Sequence, residues 1–167
     1  MKRTLYLVRH AKSSWEDPSL DDFDRPLNDR GKRDAPRMAK RIKERKIVPD
    51  LMYSSPANRA IKTCKEFAKV LGIKESGIKT DAQLYHAGEE TLLTRIHGLK
   101  DKFGAVMVFG HNPGLTDLAN LLTGEQILNI PTAGVVGIRF SADHWKAVQP
   151  GSGKLLFFDF PKKNKGD

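Results

Sequence analysis

The residues best suited to chemistry lie in three short polar segments, each directly after an apolar run. Arg9-His10 ends the first run, residues 54–59 include Arg59, and residues 110–114 include His111. Arginine forms paired hydrogen bonds with phosphoryl oxygens, and neutral histidine is a nucleophile near neutral pH. Proline opens the helices predicted after the second and third segments, and helix N-termini favour anions. These residue types together predict an anion site, with phosphate as the best match.

Several other kinds of site are excluded by the sequence. It contains neither a P-loop nor a dinucleotide-binding glycine motif. The five histidines lack the paired i, i+4 spacing of metal ligands, so a metal hydrolase is not expected. Cys64 lies on the apolar face of a predicted helix, and Ser13 and Ser14 have no nucleophile-elbow motif. Histidine is therefore the expected nucleophile, because it can accept a phosphoryl group when cations stabilise the transferred charge.

Strand and helix patterns alternate around the three segments. Apolar runs predict strands at residues 4–8, 51–54, 78–84, 105–109, 135–140 and 155–160. Apolar spacing of three and four residues predicts helices at 34–46, 56–71 (with Ser55 as N-cap), 89–102 and 115–122, whereas residues 11–33 are predicted as a loop. This order predicts an α/β fold with a mostly parallel sheet, helices on both faces and an antiparallel edge. Ligands bind beyond the carboxyl ends of parallel strands, so the three segments should converge on one crevice.

Length and composition limit the class of protein. The chain has 167 residues, of which 39% are hydrophobic. This fits one globular domain, predicted over residues 1–161, followed by a loose tail at residues 162–167. No apolar stretch is long enough for a membrane span or an export signal, so a cytoplasmic location is expected.

The positive charge of the chain is unevenly distributed. The net charge is +9, and residues 30–46 alone contain nine basic and two acidic residues. This basic segment can steer an acidic or phosphorylated protein, or it can be a solvated helix face without a partner. It has no interleaved aromatic side chains and no DNA- or RNA-binding motif, so nucleic acid is not an expected partner.

Three motifs occur in a fixed order along the chain. They are Leu7-Val8-Arg9-His10-Ala11-Lys12-Ser13, Ser55-Pro56-x-x-Arg59-Ala60-x-x-Thr63 and Gly110-His111-Asn112-Pro113-Gly114. In this order they resemble the histidine phosphatase superfamily, which is phosphoglycerate-mutase-like. Arg25-Pro26-Leu27-Asn28-x-Arg30-Gly31, Trp15-Glu16-Asp17 and the short chain resemble its SixA-like group, the small phosphohistidine phosphatases. The resemblance extends across nearly the whole chain and implies a three-layer α/β/α sandwich with no metal and no cofactor.

The resemblance also implies roles for four residues. His10 is the expected nucleophile that becomes phosphorylated, and Arg9, Arg59 and His111 are expected to complete a pocket that binds the phosphate. Lys12 stands where mutases of the superfamily commonly have a glutamate or glutamine, which adds a positive charge near the mouth of this pocket.

Other residues are candidates for binding substrate. Ser13 and Asn112 are expected to donate hydrogen bonds to the phosphate, and Tyr85 to line the substrate entrance. His86 either borders the site or ends a strand. These expectations rest on the position of each residue within or beside the three motifs.

One departure from the superfamily pattern bears on the substrate. Phosphatases and mutases of the superfamily usually carry a glutamate general acid shortly before the mid-chain helix, whereas residues 83–88 contain no carboxylate. An alcohol is a poor leaving group and needs that proton, but imidazole can leave without a dedicated acid. The gap therefore favours phosphohistidine over phosphomonoesters, unless Glu89 or Glu90 supplies the proton.

The sequence therefore predicts a metal-independent phosphatase with a phosphohistidine intermediate. The expected substrate is phosphohistidine on a signalling or carrier protein, such as a histidine-phosphotransfer domain. Two alternatives stay open: a small-molecule phosphomonoesterase of the same superfamily, and a non-catalytic regulatory module that binds phosphate.

Overall fold

A six-stranded mixed sheet forms the centre of the molecule. In the computed structural model, which describes residues 2–163, the strands are β1 (Lys2–Arg9), β2 (Leu51–Ser54), β3 (Ile78–Thr80), β4 (Ala105–Gly110), β5 (Val135–Ser141) and β6 (Lys154–Asp159). Their spatial order is β3-β2-β4-β1-β5-β6, and the first four strands in this order run parallel. β5 pairs antiparallel with both β1 and β6. The predicted mostly parallel sheet with an antiparallel edge is confirmed.

Helices cover both faces of the sheet and produce two apolar cores. They are α1 (Asp29–Glu44), α2 (Asn58–Leu71), α3 (Glu89–His97) and α4 (Gly114–Thr123). Side chains of β1 alternate between the faces: Leu5 and Leu7 pack in the core with α3 and α4, whereas Tyr6 and Val8 pack in the core with α1 and α2. The predicted three-layer α/β/α sandwich is confirmed. Among residues 2–163, no helix has the length and hydropathy that crossing a membrane requires.

The starts of the first two helices differ from the prediction. α1 begins at Asp29, well before residue 34, because the Asn28 side chain caps it by accepting the Gly31 N–H at 2.8 Å. The first turn of α1 has no apolar periodicity, so the pattern missed it. α2 begins at Asn58, and Ser55 is therefore not its N-cap.

Two predicted elements end earlier than expected. β3 ends at Thr80, because the Asp81 side chain accepts the Gln83 N–H and caps a short 3-10 turn where the strand was predicted to continue. α3 ends at His97, and Gly98 follows it. Residues 164–167 of the predicted loose tail lie outside the described residues.

The carboxyl ends of β1, β4 and β2 lie side by side, which positions the three polar segments. Arg9 is opposite Gly110 in the parallel pairing of β1 with β4. Just beyond the strands, the His10 N–H donates to the Gly110 carbonyl at 3.1 Å, and the Ser55 N–H donates to the Phe109 carbonyl at 2.9 Å. The sheet register therefore brings all three segments to one edge.

Candidate active site

His10 lies directly after β1, and Nδ1 is the one ring nitrogen that makes a hydrogen bond within residues 2–163. The residue is 8% exposed, and its Nδ1 lies 2.8 Å from the Ala11 carbonyl oxygen, which can only accept a hydrogen bond. The ring proton is therefore assigned to Nδ1, and Nε2 keeps its lone pair. Burial, together with the positive charges of Arg59 and Arg9, lowers the pKa of His10 to about 4. At neutral pH His10 is thus uncharged, as the predicted nucleophile must be.

Two arginines lie in the same pocket. Arg9 donates from Nη1 to the Ile130 carbonyl at 2.9 Å, but its buried Nε has no partner among the described residues. Arg59 donates from Nη1 to the Asp22 carbonyl at 2.6 Å and from Nη2 to the Asp22 carboxylate at 2.9 Å. Burial and the charge of Arg59 lower the pKa of Arg9. Two neighbouring cations, one with an unused donor, favour the binding of an anion.

His111, directly after β4, adds a second uncharged imidazole. Its ring centroid lies 5.2 Å from that of His10. His111 Nε2 lies 2.8 Å from Ser55 Oγ, which accepts the Ala57 N–H at 3.2 Å and can donate its own hydrogen to Nε2. This assigns the His111 proton to Nδ1, which is buried without a partner in the described part of the chain. Burial, then the charges of His10 and Arg59, lower the pKa of His111 to about 3, so it is a neutral N–H donor.

Asp22, for which no role was predicted from the sequence, also lies in the pocket. Asp22 Oδ2 accepts hydrogen bonds from Arg59 at 2.9 Å and from the Tyr85 hydroxyl at 2.7 Å, and it lies 3.2 Å from His86 Nε2. Asp22 Oδ1 accepts from Arg25 Nη1 at 3.0 Å. Partial burial raises the pKa of Asp22, but the hydrogen bonds from Tyr85, Arg59 and Arg25 outweigh it and hold the pKa well below its usual range. Asp22 is therefore an anion.

Tyr85 and His86 form one wall of the pocket. Their ring centroids are 4.0 Å apart, and the centroid of His111 lies 5.5 Å from that of Tyr85 and 5.9 Å from that of His86. His86 has a φ of 53°, a left-handed conformation that is uncommon outside glycine. The structure thus places Tyr85 beside the pocket, where the entrance was predicted, and shows that His86 borders the pocket rather than ending a strand.

Ser13 and Asn112 use their polar atoms within the protein. Ser13 Oγ accepts a hydrogen bond from Arg25 Nη2. Asn112 donates to the Asn129 side chain and to the Ile130 carbonyl, both at 2.9 Å, and its side-chain oxygen accepts hydrogen bonds from the first turn of α4. These contacts hold the loops of the pocket, and the role of either residue in binding phosphate stays a prediction.

The acidic residues considered for a general acid differ in their contacts with the pocket. Within residues 2–163, Glu89 and Glu90 make no side-chain hydrogen bond or ion pair. The carboxylate that does contact the pocket is Asp22. In the same range, no three His, Cys, Asp or Glu side chains are arranged to hold a metal ion.

Three polar residues of the site were missed or misassigned from the sequence. Asp22 lies in a loop without periodicity, although the acidic run of residues 21–24 directly before Arg25 is a signal for an ion-paired turn. Arg25 was part of a motif but had no predicted role. Ser55 was interpreted as a helix cap, because its contact with His111 spans 56 positions of sequence.

Comparison with known proteins identifies the family. The sequence profile of the histidine phosphatase superfamily (branch 1) matches residues 5–88, a span that includes Arg9, His10 and Arg59. The chain belongs to the histidine phosphatase superfamily. An uncharacterized chloroplastic protein of Arabidopsis thaliana is 30% identical over 93% of this chain and 76% of that protein. An uncharacterized protein of Mycobacterium tuberculosis is 31% identical over 93% of this chain and 100% of that protein.

Solved structures of histidine phosphatases share the fold. The crystal structure of a candidate phosphohistidine phosphatase, SixA from Agrobacterium tumefaciens, has a TM-score of 0.80 and 30% identity, covering 95% of this chain and 98% of that chain. The protein histidine phosphatase SixA complexed with tungstate has a TM-score of 0.80 at 19% identity over 95% and 97% of the two chains, which supports the fold alone. The predicted superfamily and the likeness to SixA are confirmed.

Proposed function

We propose that this protein hydrolyses phosphohistidine through a phosphorylated His10 intermediate. The main support for the proposal is that His10, a buried residue whose Nδ1 lies against the Ala11 carbonyl oxygen, keeps the Nε2 lone pair and lies near Arg9, Arg59 and His111. A phosphoryl group in transfer carries negative charge on three equatorial oxygens. A neutral nucleophile surrounded by two guanidinium groups and one N–H donor is suited to that charge.

The reaction would proceed in two transfers. The Nε2 lone pair of His10 forms a bond to phosphorus, while the bond to the leaving group breaks and its electron pair stays on the leaving group. Arg9 and Arg59 donate to the equatorial oxygens, and His111 donates from Nδ1. Water then attacks phosphorus, the electron pair of the P–N bond returns to His10 Nε2, and one water proton passes to solvent while the hydroxyl remains on the phosphate.

The ionised state of Asp22 favours phosphohistidine as the substrate. A general acid must be protonated at the working pH, and hydrogen bonds hold the pKa of Asp22 far below neutrality. The carboxylate nearest the reacting groups therefore has no proton to give to an alcohol. An imidazole leaving group needs no proton from the enzyme when its second ring nitrogen is protonated, because it then departs as neutral imidazole.

We further propose that a protein carries the phosphohistidine, as in a histidine-phosphotransfer or carrier domain. Trp15 and Leu128 are 73% and 99% exposed, and Phe23 is 37% exposed. All three lie on loops that also contribute pocket residues or their partners. Exposed apolar side chains around a pocket fit a protein surface better than a small phosphate ester. A cytoplasmic location and a role in signalling stay predictions.

The basic segment would add long-range attraction to an acidic partner. Arg37 and Lys40 are exposed on α1, whereas Arg41 is bound to Asp159 at 3.2 Å and to the carbonyl oxygens of residues 160 and 161. Charge reversal at Arg37 and Lys40 should therefore slow association at low salt without loss of stability. Association rates that do not change would refute the steering role.

Phosphate release in EDTA tests the proposed function. Wild-type protein and His10→Ala would be assayed with a phosphohistidine peptide and with p-nitrophenyl phosphate. We expect fast release from the peptide, slow release from the ester, and loss of both in the variant. Equal rates on both substrates would show a broader phosphatase with an acid, for which His86 is the first candidate. No release from either substrate, with phosphate still bound, would instead indicate a regulatory module.

A further inference from the structure

Asp22 occupies an unexpected place, because it is an anion bound to a guanidinium group that the proposed reaction needs for phosphate. Its Oδ2 lies 2.9 Å from Arg59 Nη2. The other groups that face the carboxylate are Arg25, the Tyr85 hydroxyl and His86. When a phosphoryl oxygen accepts the hydrogen bond that Arg59 Nη2 now donates to Asp22, the carboxylate loses one charged partner and has room for a new donor.

We propose that Asp22 is a specificity-determining residue that accepts a hydrogen bond from the protonated imidazole of phosphohistidine. This inference rests on the proposed function. When one ring nitrogen of the substrate carries the phosphoryl group, the other can carry a proton, which makes the ring a cation with an N–H donor. That donor replaces the bond that Asp22 loses when Arg59 turns to the phosphoryl oxygens.

A phosphomonoester cannot make this exchange. Its leaving group carries neither an N–H donor nor a positive charge, so nothing offsets the repulsion between its dianionic phosphoryl group and Asp22. Binding of an ester would therefore leave the carboxylate with one partner fewer and with no compensation. The same residue thus favours phosphohistidine and disfavours esters.

The hydrogen bond also assists bond cleavage. As His10 Nε2 bonds to phosphorus, the substrate P–N bond breaks, and its electron pair stays on the leaving nitrogen. Because the other ring nitrogen holds its proton, the ring departs as neutral imidazole and no further proton is required. Asp22 only has to keep that proton on the ring, which an ionised carboxylate does and a carboxamide does less well.

Replacing Asp22 with asparagine tests the inference, with Asp24→Asn as the matched control. Asp24 is exposed and lies in the same 3-10 turn, so its replacement removes one negative charge from the same place without changing the pocket. For both variants and the wild type, kcat/KM would be measured with a phosphohistidine peptide and with p-nitrophenyl phosphate. The inhibition constant of inorganic phosphate would be measured in parallel.

We expect the ratio of the two kcat/KM values, peptide over ester, to fall by about tenfold to a hundredfold in Asp22→Asn, the usual range for a hydrogen bond between charged groups. Inorganic phosphate should inhibit this variant at a lower concentration, because Arg59 is released from its carboxylate. Asp24→Asn should match the wild type in all three measurements. Asp22→Ser should shift the ratio in the same direction, which separates the effect from misfolding of one variant.

Two results would overturn the inference, and they differ in what else they affect. If both activities of Asp22→Asn fall in proportion, Asp22 positions Arg59 for every substrate, and only the inference fails. If the wild type cleaves the ester but not the phosphohistidine peptide, the proposed function fails and the inference fails with it.

Discussion

Replacement of Ser55 by alanine removes the group that fixes the proton of His111. The Ser55 hydroxyl lies 2.8 Å from His111 Nε2, and Ser55 is fully buried. Without it, the ring can exchange its proton between the two nitrogens, and Nδ1 is no longer held as a donor. The imidazole stays in place, so the pocket loses the orientation of one donor rather than the donor itself.

The size of the effect follows from the role of that donor. Removal of one donor from an oxyanion site lowers kcat by about 10²–10³. Loss of its orientation alone should cost less, and we expect about tenfold to a hundredfold, or ~1.4–2.7 kcal/mol of activation free energy. The free energy of unfolding should fall by about 1–3 kcal/mol, because His111 Nε2 and the Ala57 N–H lose a buried partner.

Ser54→Ala is the matched control for this variant. Ser54 is also fully buried, and its hydroxyl donates to the Ser55 carbonyl at 2.8 Å without contacting His111. Both variants should lose a similar amount of stability in urea denaturation, but only Ser55→Ala should lose kcat and show changed ¹⁵N shifts of His111. Wild-type kcat in Ser55→Ala, or an equal loss of kcat in Ser54→Ala, would show that the Ser55 hydroxyl does not fix the His111 tautomer.

Three further predictions concern pH and packing. After correction for ionisation of the substrate, kcat/KM should fall only as the pH drops through about 4, where His10 gains a proton. A fall in kcat/KM near pH 6.5 would contradict the lowered pKa of His10. The free energy of unfolding, measured in urea, should fall as the pH drops from about 6.5 to about 3, because the unfolded chain binds protons that buried His10 and His111 do not. His10→Asn should reduce this slope above about pH 4. Gly114→Ala should destabilise the fold by about 1–3 kcal/mol and lower activity, because its Cβ would lie 2.0 Å from the Ala87 carbonyl oxygen beside the pocket wall. Gly77→Ala, where a Cβ meets nothing within 4 Å, should melt close to the wild type in circular dichroism.

The part of the site that depends on the order of strands in the sheet could be predicted from the sequence. Arg9 ends β1, and His10 and His111 directly follow β1 and β4. These two strands are parallel neighbours, and the carboxyl ends of such strands meet at one edge. Apolar runs and their polar ends are local patterns, so strand β4 and the residue after it could be located without the structure. Arg59 followed from the helix after β2, even though the start of that helix was placed too early.

The contacts that tune the site could not be predicted in the same way. Asp22 reaches Arg59 across 37 positions and Tyr85 across 63, and its loop has no period that would show which side faces the pocket. Ser55 illustrates a second limit, since a serine before proline fits a helix cap and a buried turn equally well. In that case tertiary packing, through the contact with His111, decides between the two local conformations.

The most direct test of the central claim is to trap the phosphoryl group on His10. Protein mixed with a ³²P-labelled phosphohistidine peptide in EDTA would be quenched in alkali within the first turnover and mapped by peptide mass spectrometry. We expect a label on the peptide that contains His10, removed by acid and absent from His10→Ala. Release of labelled phosphate by His10→Ala at the wild-type rate would contradict a phosphorylated His10 intermediate. Release by the wild-type protein with no label on it at any time would also contradict it.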